Sequence, residues 1–359
     1  IVRSCAAQCA GGKKIGSEDV VMLRVFSLLV AAVTALFVFT GVTAAPALAQ
    51  GKKLTLVVPG IPPIFASLVA YVADRQGFFI KYGTAVEVKP SESGTAGARA
   101  LVSRDVDISL SPSPLIVSQI SNAGVDLVGI YGLPNPSYVL ASTDPKAGCK
   151  DAAGQAVGVD TVGGARSNAL KEILASCGAK IEDVQQVTLP SSATQQAMIA
   201  DRIKFGVLHF DELPVIEAQG KPVKVVLTLN EVNPNSHFAL FTVRRTDLAE
   251  RRDNYVRVLA GLIAAARFMA ASENADRFAE IAAGFGRAKD EAKGALKRFV
   301  EVDYWPVTHD GLPAAKLEAV IATAVKTGGI LAGKQPVTYE RLVDRSIWKD
   351  AQGLVASTY

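Results

Sequence analysis

"RQGFFIKYGTAVEVKPSESGTAGARALVSRDVDISLSPSP", residues Arg75–Pro114, is the stretch that decides the fold. It contains two short apolar runs, AVEVKPS and VDISLSPS, and the helical pattern GTAGARALVSRD lies between them. A strand, a helix of this length and a second strand predict a βαβ unit, in which the two strands are parallel. The second run ends in Ser111-Pro112-Ser113-Pro114, so small hydroxyl groups and prolines follow a buried strand directly.

The same alternation continues on both sides of this stretch. LTLVVPG precedes it, and VDLVGIYGL follows it after another helical pattern. A second series of apolar runs and helical patterns occupies residues 156–229, then HFALFTVRRT returns in extended form, and the chain beyond Leu248 is almost wholly helical. This order predicts an α/β protein of two lobes, each built on a parallel sheet. Two extended crossings are predicted near Pro136–Thr143 and Pro234–Thr242.

These patterns also give the domain limits. We predict that residues 50–139 form the first part of lobe 1 and residues 140–236 form lobe 2. Residues 237–359 then supply the return strand of lobe 1 and its C-terminal helices. Residues 1–49 are predicted to lie outside the fold, as a signal peptide preceded by an over-extended start.

The N-terminal segment has the three parts of a secretory signal peptide. Arg24 follows Met22, which is the first methionine, then comes a long apolar run, and Ala47-Leu48-Ala49 forms an A-x-A cleavage site. Cleavage is expected around Ala49 and Gln50, which places the protein in the periplasm. The alternative is a membrane anchor that is not cleaved.

Composition limits the partners and the chemistry. The chain has 359 residues, of which 49% are hydrophobic and 20% charged, and its formal net charge is +4. No basic run occurs, so nucleic acid is not expected as a partner. The sequence lacks the G-x-S-x-G, H-E-x-x-H and C-x-x-C motifs, so neither a catalytic site, a metal nor a cofactor is predicted.

Two cysteines, Cys149 and Cys177, lie beyond the predicted cleavage site. In a βαβ unit the helix runs antiparallel to its strands. Cys149, just before the run AVGVDT, and Cys177, at the end of the following helix, should therefore both lie at the base of lobe 2. An oxidising compartment favours a disulfide between them, and two separate thiols are the alternative.

The stretch Arg75–Pro114 resembles the corresponding part of periplasmic solute-binding proteins of the sulfonate/nitrate/taurine-binding class. The resemblance rests on GFF…YG, on a Ser-Gly pair that opens a helix, and on VDIS before a loop of small residues. AGQAVGVDTVGGARSNALKEILASCGAKIEDV is similar to a second pattern of that class. The resemblance implies a type II periplasmic binding protein, a monomer that captures a small-molecule ligand and docks on an ABC permease and its ATPase.

In such sheets, ligands bind beyond the carboxyl ends of the strands. Arg166 could supply a donor fork to a carboxylate or sulfonate, or it could be a solvated residue of the first helical turn. The candidate ligand-binding residues at strand ends and crossings are Gly60, Ile61, Pro62, Ser93, Gly94, Thr95, Ser111, Ser113, Asn135, Tyr138, Thr161, Gly163, Gly164, Arg166, His209, Asp211 and His237.

The ligand is therefore expected to be a small organic solute, an anion by virtue of Arg166 and of the Gly-rich helix start, with room for an aromatic ring. Two alternatives remain. Chorismate dehydratase-like proteins and the fungal synthase of the thiamine pyrimidine are enzymes of the same fold, and a sensor module could present the same ligand to a membrane receptor.

Export with cleavage is testable directly. Mass spectrometry of the periplasmic fraction should find an N-terminus at Gln50 or within a few residues of it, because signal peptidase cuts after an A-x-A site. Recovery of a full-length product in the membrane fraction would contradict the prediction.

Overall fold

The computed structural model describes residues 53–160, 162–189 and 191–357. The predicted N-terminal signal segment and Thr161 lie outside these described residues. The first sheet contains five strands, β1 (Leu54–Pro59), β2 (Val86–Ser91), β3 (Ile108–Pro112), β4 (Leu127–Leu133) and β10 (Ala239–Arg244). Their order across the sheet is β2-β1-β3-β10-β4.

The strands of the second sheet are β5 (Tyr138–Ser142), β6 (Ala156–Val159), β7 (Gln185–Thr188), β8 (Phe205–His209) and β9 (Lys224–Thr228). This sheet repeats the arrangement of the first, with the order β7-β6-β8-β5-β9. The predicted two α/β lobes are therefore present.

Helices cover the sheets and form the C-terminal part of the chain. In chain order they are α1 (Leu68–Arg75), α2 (Phe78–Lys81), α3 (Gly94–Val102), α4 (Ser113–Ala123), α5 (Ala165–Ser176), α6 (Ser191–Ile199), α7 (Leu213–Ala218), α8 (Leu229–Val232), α9 (Arg245–Glu250), α10 (Arg252–Ala270), α11 (Ala275–Ala283), α12 (Lys289–Glu301), α13 (Ala314–Lys326), α14 (Tyr339–Leu342) and α15 (Ser346–Ser357). Short 3₁₀ turns occur at Phe65–Ser67, Cys149–Ala152, Ile181–Asp183, Phe210–Glu212 and Ser272–Asn274.

The prediction of parallel sheets was only partly right, because each sheet holds one reversed strand. β10 pairs antiparallel with β3 and β4, and β5 pairs antiparallel with β8 and β9. Both reversed strands enter immediately after the chain has passed from one sheet to the other. The passages themselves are shorter than expected: residues 134–137 lie between β4 and β5, and residues 233–238 lie between α8 and β10.

The largest buried cluster joins the two lobes. It extends from β1 and α10 to α12, and from there to Phe210, Leu213 and Ile216 of lobe 2. A second cluster covers the opposite face of the first sheet under α3, α4 and α13, and a third lies between the second sheet and α5. The limits of the predicted domains remain a prediction, but α12 packs against lobe 2 as well as against α11.

Within the described ranges, no single helix is long and apolar enough to cross a membrane. α10 and the segment Ser272–Ala283 together meet that criterion, with a bend of 90° between them.

One ammonium group binds both passages between the lobes. Nζ of Lys316, on α13, donates to the carbonyl oxygen of Pro134 at 3.2 Å and to Oδ1 of Asn135 at 2.9 Å in the first passage. It also donates to the carbonyl oxygen of Ser236 at 3.1 Å in the second. Burial lowers the pKa of Lys316. The two passages are therefore held at a fixed separation by a charge that is partly withdrawn from water.

The predicted disulfide is present in lobe 2. Cys149, in the 3₁₀ turn before β6, is joined to Cys177 at the end of α5, with a Cα–Cα distance of 6.3 Å. Because α5 carries the chain back from the carboxyl end of β6, both cysteines lie at the end of the lobe away from that strand's carboxyl edge. The bond closes a loop with a sequence separation of 28.

Reduction should lower stability and leave ligand affinity nearly unchanged. On the chain-entropy model a loop of this size contributes about 3 to 4 kcal/mol. Thiol titration of the unfolded, non-reduced protein beginning near Gln50 should find no free thiol. The Cys149→Ser/Cys177→Ser variant should melt at the temperature of the reduced wild type. Two free thiols per chain would contradict the bond.

Candidate functional site

A cavity of about 460 Å³ lies between the two lobes. Lobe 1 contributes the loop that follows β1, and lobe 2 contributes α5, α6 and the 3₁₀ turn after β8. Ser137 and Phe238, one from each passage, also line it. Its remaining wall comes from the C-terminal helical part, through Phe285, Gly286, Arg287, Phe299 and Tyr304. This volume is within the usual range for small-molecule sites.

The loop after β1 takes a shape that only glycine fits. Gly60 has φ of +102°, and its N–H donates to the carbonyl oxygen of Ser91 at 2.8 Å. A Cβ at this position would lie 2.5 Å from the backbone nitrogen of Ile64. The hydroxyl of Ser67 donates to the carbonyl oxygen of Pro59 at 2.8 Å and closes the loop. Ile61 is 67% exposed at its tip.

An aromatic cluster centred on Phe299 forms the apolar wall. Its ring stacks on that of Phe65 from lobe 1, with centroids 4.7 Å apart, and on Trp305 at 5.2 Å. Phe210 from lobe 2 meets the same ring edge-on at 5.7 Å. Tyr304 packs at 4.6 Å, nearly perpendicular. Rings from both lobes and from the C-terminal helices therefore meet at one side chain.

The polar wall in lobe 2 is a buried ion pair. Arg166 and Glu212 are 3% and 5% exposed, and a guanidinium nitrogen lies 2.9 Å from Oε2 of Glu212. Arg166 also donates to the carbonyl oxygen of Val207 at 2.8 Å. Glu212 accepts further from Nε2 of Gln195 at 2.9 Å and from the backbone N–H of His209 at 2.6 Å.

The ionisation of this pair follows from its partners. Burial raises the pKa of Glu212, and the adjacent Arg166 guanidinium opposes that rise. Burial tends to lower the pKa of Arg166, but Glu212 outweighs it and the pKa is raised. The groups that contact the Glu212 carboxyl are N–H donors, which the ionised form accepts without leaving a proton unpaired.

A second ion pair connects the C-terminal helices to lobe 2. Arg287 donates to Oδ2 of Asp211 at 2.8 Å and to the carbonyl oxygen of Pro63 at 3.2 Å. Its guanidinium carbon lies 5.1 Å from the ring centroid of Phe65, which suits a cation–π contact. This arginine thus contacts both lobes at the edge of the cavity.

His209 and Tyr304 face the cavity as neutral groups. Burial lowers the pKa of His209 well below 6.5, and Arg166 and Arg287 lower it further. Its Nδ1 lies 2.6 Å from the hydroxyl of Ser137. Burial also raises the pKa of Tyr304 well above 10.

The structure brings some of the predicted ligand-binding residues together at this cavity. They are Gly60, Ile61, Pro62, Arg166, His209 and Asp211. Arg166 is not the solvated first-turn residue of the alternative interpretation, because it is buried; its donor fork is directed at Glu212.

Other predicted residues have internal partners. The hydroxyl of Ser111 donates to the carbonyl oxygen of Gly94 at 3.1 Å. Ser113 lies 2.6 Å from Nδ1 of His237, whose Nε2 is 2.8 Å from the carbonyl oxygen of Gly311. Burial lowers the pKa of His237 to about 4. Asn135 donates to the carbonyl oxygen of Val302 at 2.7 Å.

The remaining candidates lie elsewhere. Ser93 accepts from the N–H of Ala96 and caps α3, and Thr95 is exposed in its first turn. Gly163 donates to Oγ of Ser167 at 3.0 Å, and Gly164 is the N-cap of α5. Tyr138 and His237 line a second cavity of about 310 Å³. Contact of these residues with ligand stays a prediction.

Sequence patterns missed most of the wall that the C-terminal part supplies. The missed residues belong to helical segments or to the turns beside them: Phe285, Arg287, Phe299 and Tyr304. In such segments an aromatic residue is typical of the hydrophobic core, so the sequence does not mark it as a site residue. Glu212 and Gln195 were also missed, although Glu212 stands three residues after His209, at the end of a strand. Among the described residues, no three His, Cys, Asp or Glu side chains group as ligands for a metal ion.

The chain belongs to the NMT1/THI5-like family, whose family model matches residues 65–275. No curated protein sequence shows a significant match.

Solved structures establish the type II periplasmic binding protein fold. The alkanesulfonate-binding protein SsuA from Xanthomonas axonopodis pv. citri, bound to MOPS, matches with a TM-score of 0.61 and 17% identity, over 83% of this chain and 99% of its own. The periplasmic nitrate-binding protein NrtA from Synechocystis PCC 6803 matches at 0.63 and 14%, over 85% and 90%. A DszB variant in complex with biphenyl-2-sulfinic acid matches at 0.61 and 15%, over 84% and 99%.

The loop after β1 provides a test of the site. Gly60→Ala should weaken ligand binding and lower the melting temperature, because the new Cβ meets backbone atoms that line the cavity. Gly77→Ala is the matched control: it also has positive φ, at +70°, but its Cβ would have nothing within 4 Å. The control should lose about 1 to 2 kcal/mol from left-handed strain alone and keep its affinity. Equal loss of affinity in both variants would show that strain, not the loop shape, is responsible.

Proposed function

We propose that the protein is the substrate-binding component of an ABC importer. The observation that carries this proposal is the cavity itself: it is walled by both lobes and by both passages, so a ligand inside it contacts every part that moves when lobes close. Closure is then driven by the additional contacts that the ligand makes in the closed form.

The comparisons support this function. SsuA and NrtA are binding proteins by their descriptions, and each shares the fold over more than four-fifths of this chain. The ligand-binding component of an ABC-type import system from Staphylococcus aureus also has this fold, with a TM-score of 0.64. Together with the predicted signal peptide, they support a periplasmic protein that delivers its ligand to a permease and its ATPase.

The cavity favours a small organic ligand with a flat apolar part. Phe65, Phe299 and Tyr304 give the cavity an apolar wall, and lobe 2 adds polar groups to its lining. A ligand with a flat apolar part can pack against this wall while its polar edge forms hydrogen bonds with lobe 2.

One contact favours the enzyme alternative, because Ser137 and His209 are placed as a nucleophile and a base would be, 2.6 Å apart. The strongly lowered pKa of His209 argues against this function, since a base of that kind is a weak proton acceptor near neutral pH. Wild type and Ser137→Ala should hydrolyse p-nitrophenyl acetate at the same rate. A rate that falls in the variant would favour an enzyme.

The binding function is tested by a thermal-shift screen of sulfonates, carboxylates, nitrate, pyrimidines and uncharged aromatic amides. A hit at a hundredfold excess over Kd should stabilise the protein by about 2.7 kcal/mol, because it binds the folded state alone. Small-angle scattering should show a smaller radius of gyration with the hit than without it. Import is tested separately: deleting the coding sequence should abolish uptake of the labelled hit. Unchanged uptake would contradict the importer assignment.

A further inference from the structure

The charges that face the cavity cancel in pairs. Among the described lining residues, the side chains that carry charge are Arg166, Glu212, Arg287 and Asp211. Arg166 pairs with Glu212 at 2.9 Å, and Arg287 pairs with Asp211 at 2.8 Å. His209 is neutral for the reasons given above, so two positive and two negative charges surround the ligand.

The Glu212 carboxylate is held in place by several hydrogen bonds. It holds Arg166 through both oxygens, while Gln195 and the N–H of His209 fix it from two further elements. Arg166 is fixed in turn by the carbonyl oxygen of Val207. Both partners are buried, so neither can swing into solvent to make room for a competing ion.

We propose that Glu212, assisted by Asp211, makes the cavity selective for ligands without net charge. An anion could bind Arg166 only by displacing the Glu212 carboxylate, which several hydrogen bonds hold in place. If the carboxylate stayed in place, it would repel the anion. A cation that approached Glu212 would meet Arg166 in the same way. An uncharged polar group neither displaces a charged partner nor is repelled by one. It can form hydrogen bonds with the lining while each buried charge keeps its counter-ion.

This inference deepens the proposed function and rests on it for the location of the site. It differs from the expectation of an anionic ligand, which rested on Arg166 and on the Gly-rich helix start and which stays a prediction. The sequence places that arginine correctly at the cavity but gives no sign of its partner, which lies 46 residues further along the chain.

The test uses three planar probes of the same size and shape. Benzamide is uncharged, benzoate carries a negative charge and benzamidinium a positive charge, and each has a single aromatic ring. Calorimetric titration of the purified protein should give benzamide an affinity at least about tenfold higher than either ion. Benzoate binding as tightly as benzamide would overturn the proposal, and so would no binding by any probe at millimolar concentration.

The variants change one charge at a time. Glu212→Gln should raise the affinity for benzoate by about ten- to a hundredfold, since the variant removes the carboxylate that pairs with Arg166 at the cavity. Arg166→Gln should raise the affinity for benzamidinium instead. The double variant Arg166→Gln/Glu212→Gln should keep the preference for benzamide. If Arg166 and Glu212 had a purely structural role, either variant would lower the affinities for all three probes. The preferred ion would then not depend on the sign of the charge that was removed.

Asp350→Asn is the matched control, because it removes one negative charge from an exposed ion pair with Arg252 that does not line the cavity. It should leave all three affinities unchanged, and a benzoate gain equal to that of Glu212→Gln would overturn the proposal. If Glu212→Gln fails to fold, Asp211→Asn provides the same test at the less buried pair, where Arg287 should recruit benzoate. Unchanged uptake in the deletion strain would contradict the importer function but would not alter the affinities measured for the three probes. The two proposals can therefore fail independently.

Discussion

The chain passes between the two sheets twice, and the ammonium group of Lys316 binds both passages. The rest of the architecture depends on this constraint. Each passage leads directly into a reversed strand that is inserted between two strands of its sheet, β5 between β8 and β9, and β10 between β3 and β4. The contacts of Lys316 therefore fix the distance between the points at which the two inserted strands begin. Lys316, which belongs to the C-terminal helical part, thus connects the two lobes that the two α/β series form.

The same logic explains why the cavity carries buried charges at all. A buried ion pair gives little net stability compared with apolar residues of the same size, but removing one partner is costly. What the Arg166–Glu212 pair does supply is rigidity, because each member has further fixed hydrogen-bond partners. A polar wall that does not rearrange presents the same donors and acceptors to every ligand, which favours discrimination by charge and shape.

The sequence predicts the parts of this protein that repeat locally. Alternating apolar runs and helical patterns gave two α/β lobes, and strand ends gave Gly60, Arg166, His209 and Asp211 at the cavity. The disulfide between Cys149 and Cys177 followed from the direction of one helix. Where prediction was incomplete, the deciding contacts join distant segments. The reversed strands depend on which sheet accepts them, and Ser111 and Ser113 are directed to Gly94 and His237 by packing that no local pattern reveals.

Contacts of α12 with both lobes affect how the lobes can open. Phe299 of this helix contacts Phe65 of lobe 1 and Phe210 of lobe 2, and Arg298 pairs with Glu217 of α7. Opening of the lobes must separate Phe299 from Phe65 or from Phe210, or it must carry α12 along with lobe 2. Exposing a buried phenylalanine costs about 1.5 to 3 kcal/mol, which is similar to the stabilisation from a ligand at a hundredfold excess over Kd. The aromatic cluster therefore opposes opening with a free energy of the same order as the stabilisation that a bound ligand supplies.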